Sequence, residues 1–246
     1  MKTAAHRLWP IDCVRGLAVV CMVFYHFMWD MTFFGLYPHD VTAGGWRVFA
    51  RTVATTFVLL VGVSMALTAQ RKPQAERDRQ WLERGAKVLA WGLVISAVTR
   101  VVLGEAFILY GILHLVGTAL LLGPLLWRVR RFALPLGVAF VAAGPYLDAR
   151  AGQLDALVPW AIPLGVRPAG YAAVDYFPLV PWLGVILLGM AVGQWARPLW
   201  ARLSAGRPAP RLLEPIAVLG RHSLLIYIIH QPLILGGFLL FGYTMW

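Results

Sequence analysis

Long apolar runs separated by short charged segments recur along this 246-residue chain. A helix that crosses a bilayer needs roughly 20 mainly apolar residues, and the sequence contains several runs of that kind. The pattern predicts helices at 11–35, 47–70, 86–104, 107–127, 132–147, 178–196 and 222–244. A stretch rich in Pro and Asp, 148–177, is expected to form a loop or a partly re-entrant segment. We therefore predict an all-α fold, a polytopic membrane helix bundle with about seven transmembrane helices.

The composition supports this prediction. Hydrophobic residues make up 60% of the chain and charged residues 13%, with a mean hydropathy of +0.70. A soluble domain is usually about half apolar and about a quarter charged, so the apolar excess indicates contact with lipid. No connection is long enough to hold a soluble module, and a single membrane domain over 1–246 is expected.

The distribution of charge predicts the orientation. Lys and Arg are dense in alternate connections, at 71–87, 128–131 and 197–211. The positive-inside rule places these connections and the N-terminus in the cytoplasm, and about seven crossings leave the C-terminus extracytoplasmic. The compact chain suggests a bacterial inner (cytoplasmic) membrane. The net charge of +11 is thus a sign of topology, and no nucleic-acid partner is expected because the basic residues flank apolar spans.

The first predicted helix carries four polar residues that a bilayer disfavours: Asp12, Arg15, His26 and Asp30. Arg15 and His26 are eleven residues apart, so they share a helix face and lie about 16 Å apart along the axis. Asp12 and Asp30 each stand one turn from one of them. A carboxylate one turn from an imidazole can orient it as a general base. The alternatives are a snorkelling Asp12–Arg15 pair at the membrane surface and an interfacial Asp30.

Two further intramembrane histidines are predicted, His114 and His230. A single histidine in a membrane helix often makes only a structural hydrogen bond between helices, whereas three in one bundle favour a shared polar interior. No His/Cys cluster has the spacing of zinc ligands, so no metal site is expected.

Five stretches together resemble the heparan-α-glucosaminide N-acetyltransferase catalytic-domain family, within a wider group of transmembrane acyltransferases. The stretches are DCVRGLAVVCMVFYHFMWD (12–30), FVLLVGVSMAL (57–67), GILHLVG (111–117), YFPLVPWLGVILLGMAVG (176–193) and LGRHSLLIYIIHQPLI (219–234). They reach most of the predicted helices. The resemblance implies transfer of an acetyl group from cytoplasmic acetyl-CoA to an extracytoplasmic acceptor, a sugar amine or hydroxyl.

The resemblance also implies roles for individual residues. Arg15 would lie toward the CoA phosphates and His26 near the acyl carbon, with acyl-CoA held among the first, fourth and seventh predicted helices. The hypothesis makes His26 the base, oriented by Asp30, in direct transfer or, less favoured, through an acetyl-histidine. Further residues would contact the donor, the oxyanion or the acceptor: Asp12, His114, Tyr227, His230 and Gln231.

Three alternatives stay open. In the lysosomal branch of the family the position of His26 is an asparagine and the proposed base lies in the following loop, where this chain has His39. The polar stripe would also suit a proton-coupled small-molecule transporter or exporter. It could instead bind another subunit in a non-catalytic membrane protein. Membrane lipids are expected partners, and a homodimer is expected from the resemblance and from the many small residues.

Overall fold

The computed structural model describes residues 8–150, 161–168, 171, 173–203 and 209–243. Within these residues the chain is all-helical, without strands. Three short 3-10 turns accompany the α-helices at Gly104–Ala106, Arg130–Phe132 and Ile162–Leu164. The α-helices of the described residues are α1 (Trp9–Phe33), α2 (Gly44–Arg71), α3 (Gln74–Leu103), α4 (Ile112–Leu121), α5 (Gly123–Arg128), α6 (Ala133–Asp148), α7 (Leu179–Trp195), α8 (Arg197–Leu203), α9 (Glu214–Arg221) and α10 (Ser223–Leu240).

Four helices in the described part of the chain are long and apolar enough to cross a membrane: α1, α2, α10, and α3 extended to Ala106. Two shorter apolar helices, α4 and α7, accompany them. The count of about seven crossings and the orientation of the termini stay predictions.

The charged connection predicted at 71–87 is mostly helix, because α3 begins at Gln74. The residues of this connection are good helix formers, with Ala, Glu, Arg, Gln and Leu among them. Most of them are polar, so the hydrophobic pattern did not predict a helix there. At its other end α3 stops before Gly104, whose φ of +58° is a conformation that glycine adopts without steric cost.

The helix predicted at 107–127 is shorter and divided. It begins at Ile112, and α4 and α5 meet at Leu122. Pro124 lies two residues further on, and proline has no N–H to donate to the carbonyl four residues earlier, so a continuous helix loses a hydrogen bond here. A further helix, α9, lies in a stretch where none was predicted.

The chain folds as two compact units, one of Met1–Phe57 with Pro198–Trp246 and the other of Val58–Arg197. The single domain predicted over 1–246 stays a prediction. In the first unit α1 packs against α9 and α10. The backbones of α1 and α9 approach so closely that a Cβ on Gly220 would lie 1.8 Å from the Asp12 carbonyl oxygen.

The second unit is built around a core to which α2, α3, α4 and α7 contribute, among them Met65, Trp81, Leu115 and Ile186. Two of these helices approach closely at Gly62, where a Cβ would lie 1.9 Å from the Ile186 carbonyl oxygen. Helix α6 packs along α7, and α4 packs along α3.

Candidate active site

Helix α1 is continuous over 25 residues, and it contains Asp12, Arg15, His26 and Asp30. Near its N-terminal end, Nη1 of Arg15 donates a hydrogen bond to Oδ1 of Asp12 at 3.1 Å. The other carboxylate oxygen of Asp12, Oδ2, is buried and has no hydrogen-bond partner. The remaining two residues, His26 and Asp30, lie three to four turns further along α1, where they meet α10.

His26 of α1 faces His230 of α10. Their ring centroids lie 4.8 Å apart, with the ring planes inclined at 73°. His26 is partly buried, and His230 is only 7% exposed. The structure thus brings together two predicted site residues that are far apart in the sequence.

Each of these histidines is held by a carbonyl of its own helix. Nδ1 of His26 lies 2.9 Å from the Met22 carbonyl oxygen, and Nδ1 of His230 lies 2.7 Å from that of Tyr227. A carbonyl oxygen can only accept, so Nδ1 must carry the hydrogen in both rings. In the neutral rings, each Nε2 is therefore an unprotonated nitrogen with a free lone pair. Nε2 of His230 is buried without a hydrogen-bond partner.

This tautomer changes the role expected for His230. A neutral ring with its hydrogen on Nδ1 cannot donate from Nε2 to a developing oxyanion. It can accept a proton there, as can His26. These two contacts with carbonyls three or four residues earlier in the helix depend on the side-chain rotamer, so they could not be predicted from the residue types.

Asp30 pairs with Gln231 of α10. The side-chain amide of Gln231 donates to Oδ1 of Asp30 at 2.9 Å and to Oδ2 at 3.0 Å, and Asp30 is completely buried. In the structure the Met22 carbonyl contacts the His26 ring, while the Asp30 carboxylate turns toward α10. The orientation of His26 by Asp30 stays a prediction. The amide hydrogens of Gln231 are engaged by Asp30, and its Oε1 is buried without a partner.

The alternative base, His39, lies in the exposed connection after α1. Its carbonyl oxygen accepts a hydrogen bond from Oγ1 of Thr32 at 3.2 Å, and Thr32 lies about 9 Å beyond His26 along the helix axis. The neighbouring carboxylate of Asp40 accepts from the Thr42 hydroxyl and amide, which hold its pKa below the ordinary value. Asp40 thus makes its hydrogen bonds with Thr42 rather than with the His39 ring.

A series of aromatic rings connects His39 with His26. The His39 ring lies 5.1 Å from Tyr37, and Tyr37 lies 6.3 Å from Trp46. Trp46 lies 6.5 Å from Tyr25, which is 5.7 Å from His26. The two candidate bases therefore belong to one aromatic cluster, His39 at its exposed end and His26 at its buried end.

The remaining predicted site histidine, His114, belongs to the second unit. Its Nδ1 accepts from the Gly111 amide at 3.2 Å, so its Nε2 carries the hydrogen, 3.2 Å from Oγ of Ser96. Both ring nitrogens are engaged, and the ring caps the start of α4. These contacts favour a structural role for His114, and the donor-binding role expected from the sequence stays a prediction. Among the described residues, no group of three or more His, Cys, Asp and Glu side chains is placed to hold a metal ion.

The chain was compared with known proteins. A family model described as "Heparan-alpha-glucosaminide N-acetyltransferase, catalytic" matches residues 7–232. The matched segment includes α1 and the first half of α10, and therefore both members of the histidine pair. No curated protein and no solved structure matched the chain.

Proposed function

The chain belongs to the heparan-alpha-glucosaminide N-acetyltransferase catalytic family, and we propose that it transfers an acetyl group from cytoplasmic acetyl-CoA to an acceptor on the other side of the membrane. The acceptor is a sugar-like molecule with an amine or hydroxyl nucleophile. Family membership itself implies acyltransferase activity. The donor, the acceptor and the direction of transfer are the proposal.

The observation that carries this proposal is the unprotonated Nε2 expected on His26, inside a helix that is long and apolar enough to span a membrane. A general base must have a free lone pair within hydrogen-bond reach of the proton that it removes. Its ring must also keep one orientation, and the Met22 carbonyl provides that constraint. His26 has the free lone pair and the constrained ring in the resting protein.

The position of Arg15 fits the donor. It lies about 16 Å from His26 along α1, toward the end that the positive-inside rule assigns to the cytoplasm. A guanidinium there would offset the charge of the CoA phosphates, while the pantetheine arm carries the thioester toward His26. Asp12 holds the Arg15 side chain in place through their hydrogen bond.

In the proposed reaction, the acceptor attacks the thioester carbonyl directly while His26 removes its proton. The unpartnered Oε1 of Gln231 would accept a hydrogen bond from the acceptor, while Asp30 fixes the orientation of that amide. Tyr227, one turn before His230, could supply a donor to the oxyanion. The exposed end of the aromatic cluster, with His39, would then serve the approach of the acceptor.

This proposal is tested by measuring the rate of acetyl transfer by the purified His26→Ala and His39→Ala variants, each reconstituted into vesicles. Loss of a general base lowers the rate by about 10²–10⁴-fold, so acetyl transfer should fall to that extent in His26→Ala. His39→Ala should retain most of the rate and change mainly the KM for the acceptor. Full activity in His26→Ala would reject His26 as the base, and a collapse confined to His39→Ala would transfer that role to His39.

Donor binding can be measured separately. Acetyl-CoA should raise the melting temperature of the detergent-solubilised protein, because a ligand stabilises the state that it binds. Arg15→Gln should reduce this shift and leave the melting temperature of the free protein close to that of the parent. Absence of any shift, together with substrate-dependent proton flux in vesicles, would favour the transporter instead.

A further inference from the structure

We propose that His230 is a second catalytic residue, which takes over the acceptor's proton from His26 and delivers it to the sulfur of the departing CoA. This role rests on the proposed function and adds to it a path for the proton. Acyl transfer breaks the acceptor's X–H bond and the C–S bond, and forms the X–C and S–H bonds. One proton must therefore move from the acceptor to sulfur, and no electrons are gained or lost.

His26 alone has one nitrogen available for this transfer. Its Nδ1 is bonded to the Met22 carbonyl, so the same Nε2 would have to reach the acceptor on one side of the acyl carbon and the sulfur on the other. A second base beside it removes this requirement. His230 is the ring in contact with His26 from α10.

The two rings are in contact but share no hydrogen bond in the resting protein. Their centroids lie 4.8 Å apart with the planes inclined at 73°, and Nε2 of His230 has no partner there, because neither unprotonated Nε2 can donate to the other. Once His26 has taken the acceptor's proton, its Nε2–H becomes a donor, and the lone pair of His230 Nε2 is the acceptor that it needs.

Burial separates this role from a purely structural one. A buried polar atom without a partner costs about 1–3 kcal/mol, and Nε2 of His230 is such an atom. His114 in the other unit is the contrast, since protein groups engage both of its ring nitrogens. The free nitrogen of His230 is satisfied only when a proton donor arrives, first the imidazolium of His26 and afterwards the S–H group.

The complete cycle returns both rings to their starting state. His26 Nε2 takes the proton from the acceptor as the X–C bond forms. The proton passes to Nε2 of His230, which gives it to sulfur as the C–S bond breaks. Free CoA leaves as the thiol, and both histidines are again neutral with hydrogen on Nδ1.

The test is kinetic and uses the full chain in vesicles. His230→Ala and the size-conserving His230→Gln should each lower kcat by about 10²-fold or more and leave the KM for acetyl-CoA nearly unchanged. Added imidazole should raise the kcat of His230→Ala at least tenfold. Pyrazole, a ring of the same size but a much weaker base, should not restore the activity.

His222→Ala is the matched control. His222 makes the same kind of contact, with the Val218 carbonyl, but is exposed. The activity of His222→Ala should equal that of the parent.

Each outcome has a distinct meaning. Near-parental kcat in both His230 variants would overturn this inference, as would equal rescue by pyrazole and imidazole, which would indicate a space-filling role. If these results accompany an inactive His26→Ala, the proposed acetyl transfer stands and only the role of His230 fails. If the parent protein transfers no acetyl group, the proposed function itself fails.

Discussion

At the scale of single residues, the buried carboxylate of Asp30 depends on one amide. Gln231→Leu would remove both hydrogen bonds to a group that is completely buried. An unsatisfied buried polar group costs about 1–3 kcal/mol, so we expect the free energy of unfolding to fall by that amount. Replacing both partners, with Asp30→Leu and Gln231→Leu together, should recover most of the loss. Unfolding with a denaturing detergent compares Gln231→Leu, Asp30→Leu and the double variant, and additive losses would contradict the pairing.

His114 allows a second prediction at this scale. Because both of its ring nitrogens are engaged by protein groups, His114→Ala should lower the melting temperature of the free protein. It should leave unchanged the additional shift that acetyl-CoA produces. A normal melting temperature combined with a lost acetyl-CoA shift would restore the donor-binding role that the sequence suggested.

The polar stripe on α1 could be predicted because helical geometry fixes which residues share a face over eleven positions. Its partners could not be predicted. His230 and Gln231 lie on α10, and the hydrogen bond between Gln231 and Asp30 spans 201 positions in the chain. Nor does a histidine's position in a sequence reveal which ring nitrogen is occupied, since that depends on the side-chain rotamer.

At the scale of helices, the crossing of α1 and α9 depends on two glycines. A Cβ on Gly16 would lie 2.0 Å from the Ile216 carbonyl oxygen, and one on Gly220 would lie 1.8 Å from that of Asp12. Gly220→Ala should therefore force the two helices apart and cost about 1–3 kcal/mol or more. Gly236→Ala in α10 is the matched control, because open space surrounds that position; alanine should be neutral or stabilising there. Thermal unfolding compares the two, and equal melting temperatures would contradict the close approach.

The long helices were the most predictable elements. The observed α1 and α2 lie within three residues of their predicted ends, because an apolar run of that length has few other structures in lipid. The first turns of α3 and the short α9 were not predicted, because neither forms a long apolar run. Helix α9 does carry a start signal, Glu214 followed by Pro215 in its first turn.

At the scale of the whole molecule, the charge pattern predicts which connections face the cytoplasm. In a cysteine-free background (Cys13→Ala, Cys21→Ala), Gly45→Cys should react with a membrane-impermeant maleimide added to intact cells. Arg79→Cys should react only after permeabilisation. Both sites are exposed, and a Cβ on Gly45 meets no neighbour. The reverse labelling pattern would invert the orientation and with it the proposed direction of transfer.

The hydrogen bond between Asp30 and Gln231 has a consequence for how the protein is made. Its two partners leave the ribosome 201 residues apart, which corresponds to roughly 10–40 s at typical rates of synthesis. During that interval α1 is in the nascent chain with a carboxylate whose partner does not yet exist. The helices of the second unit are synthesised in between. Helix α1 is thus synthesised well before its polar face is completed, and an insertase or chaperone that shelters that face would assist biogenesis.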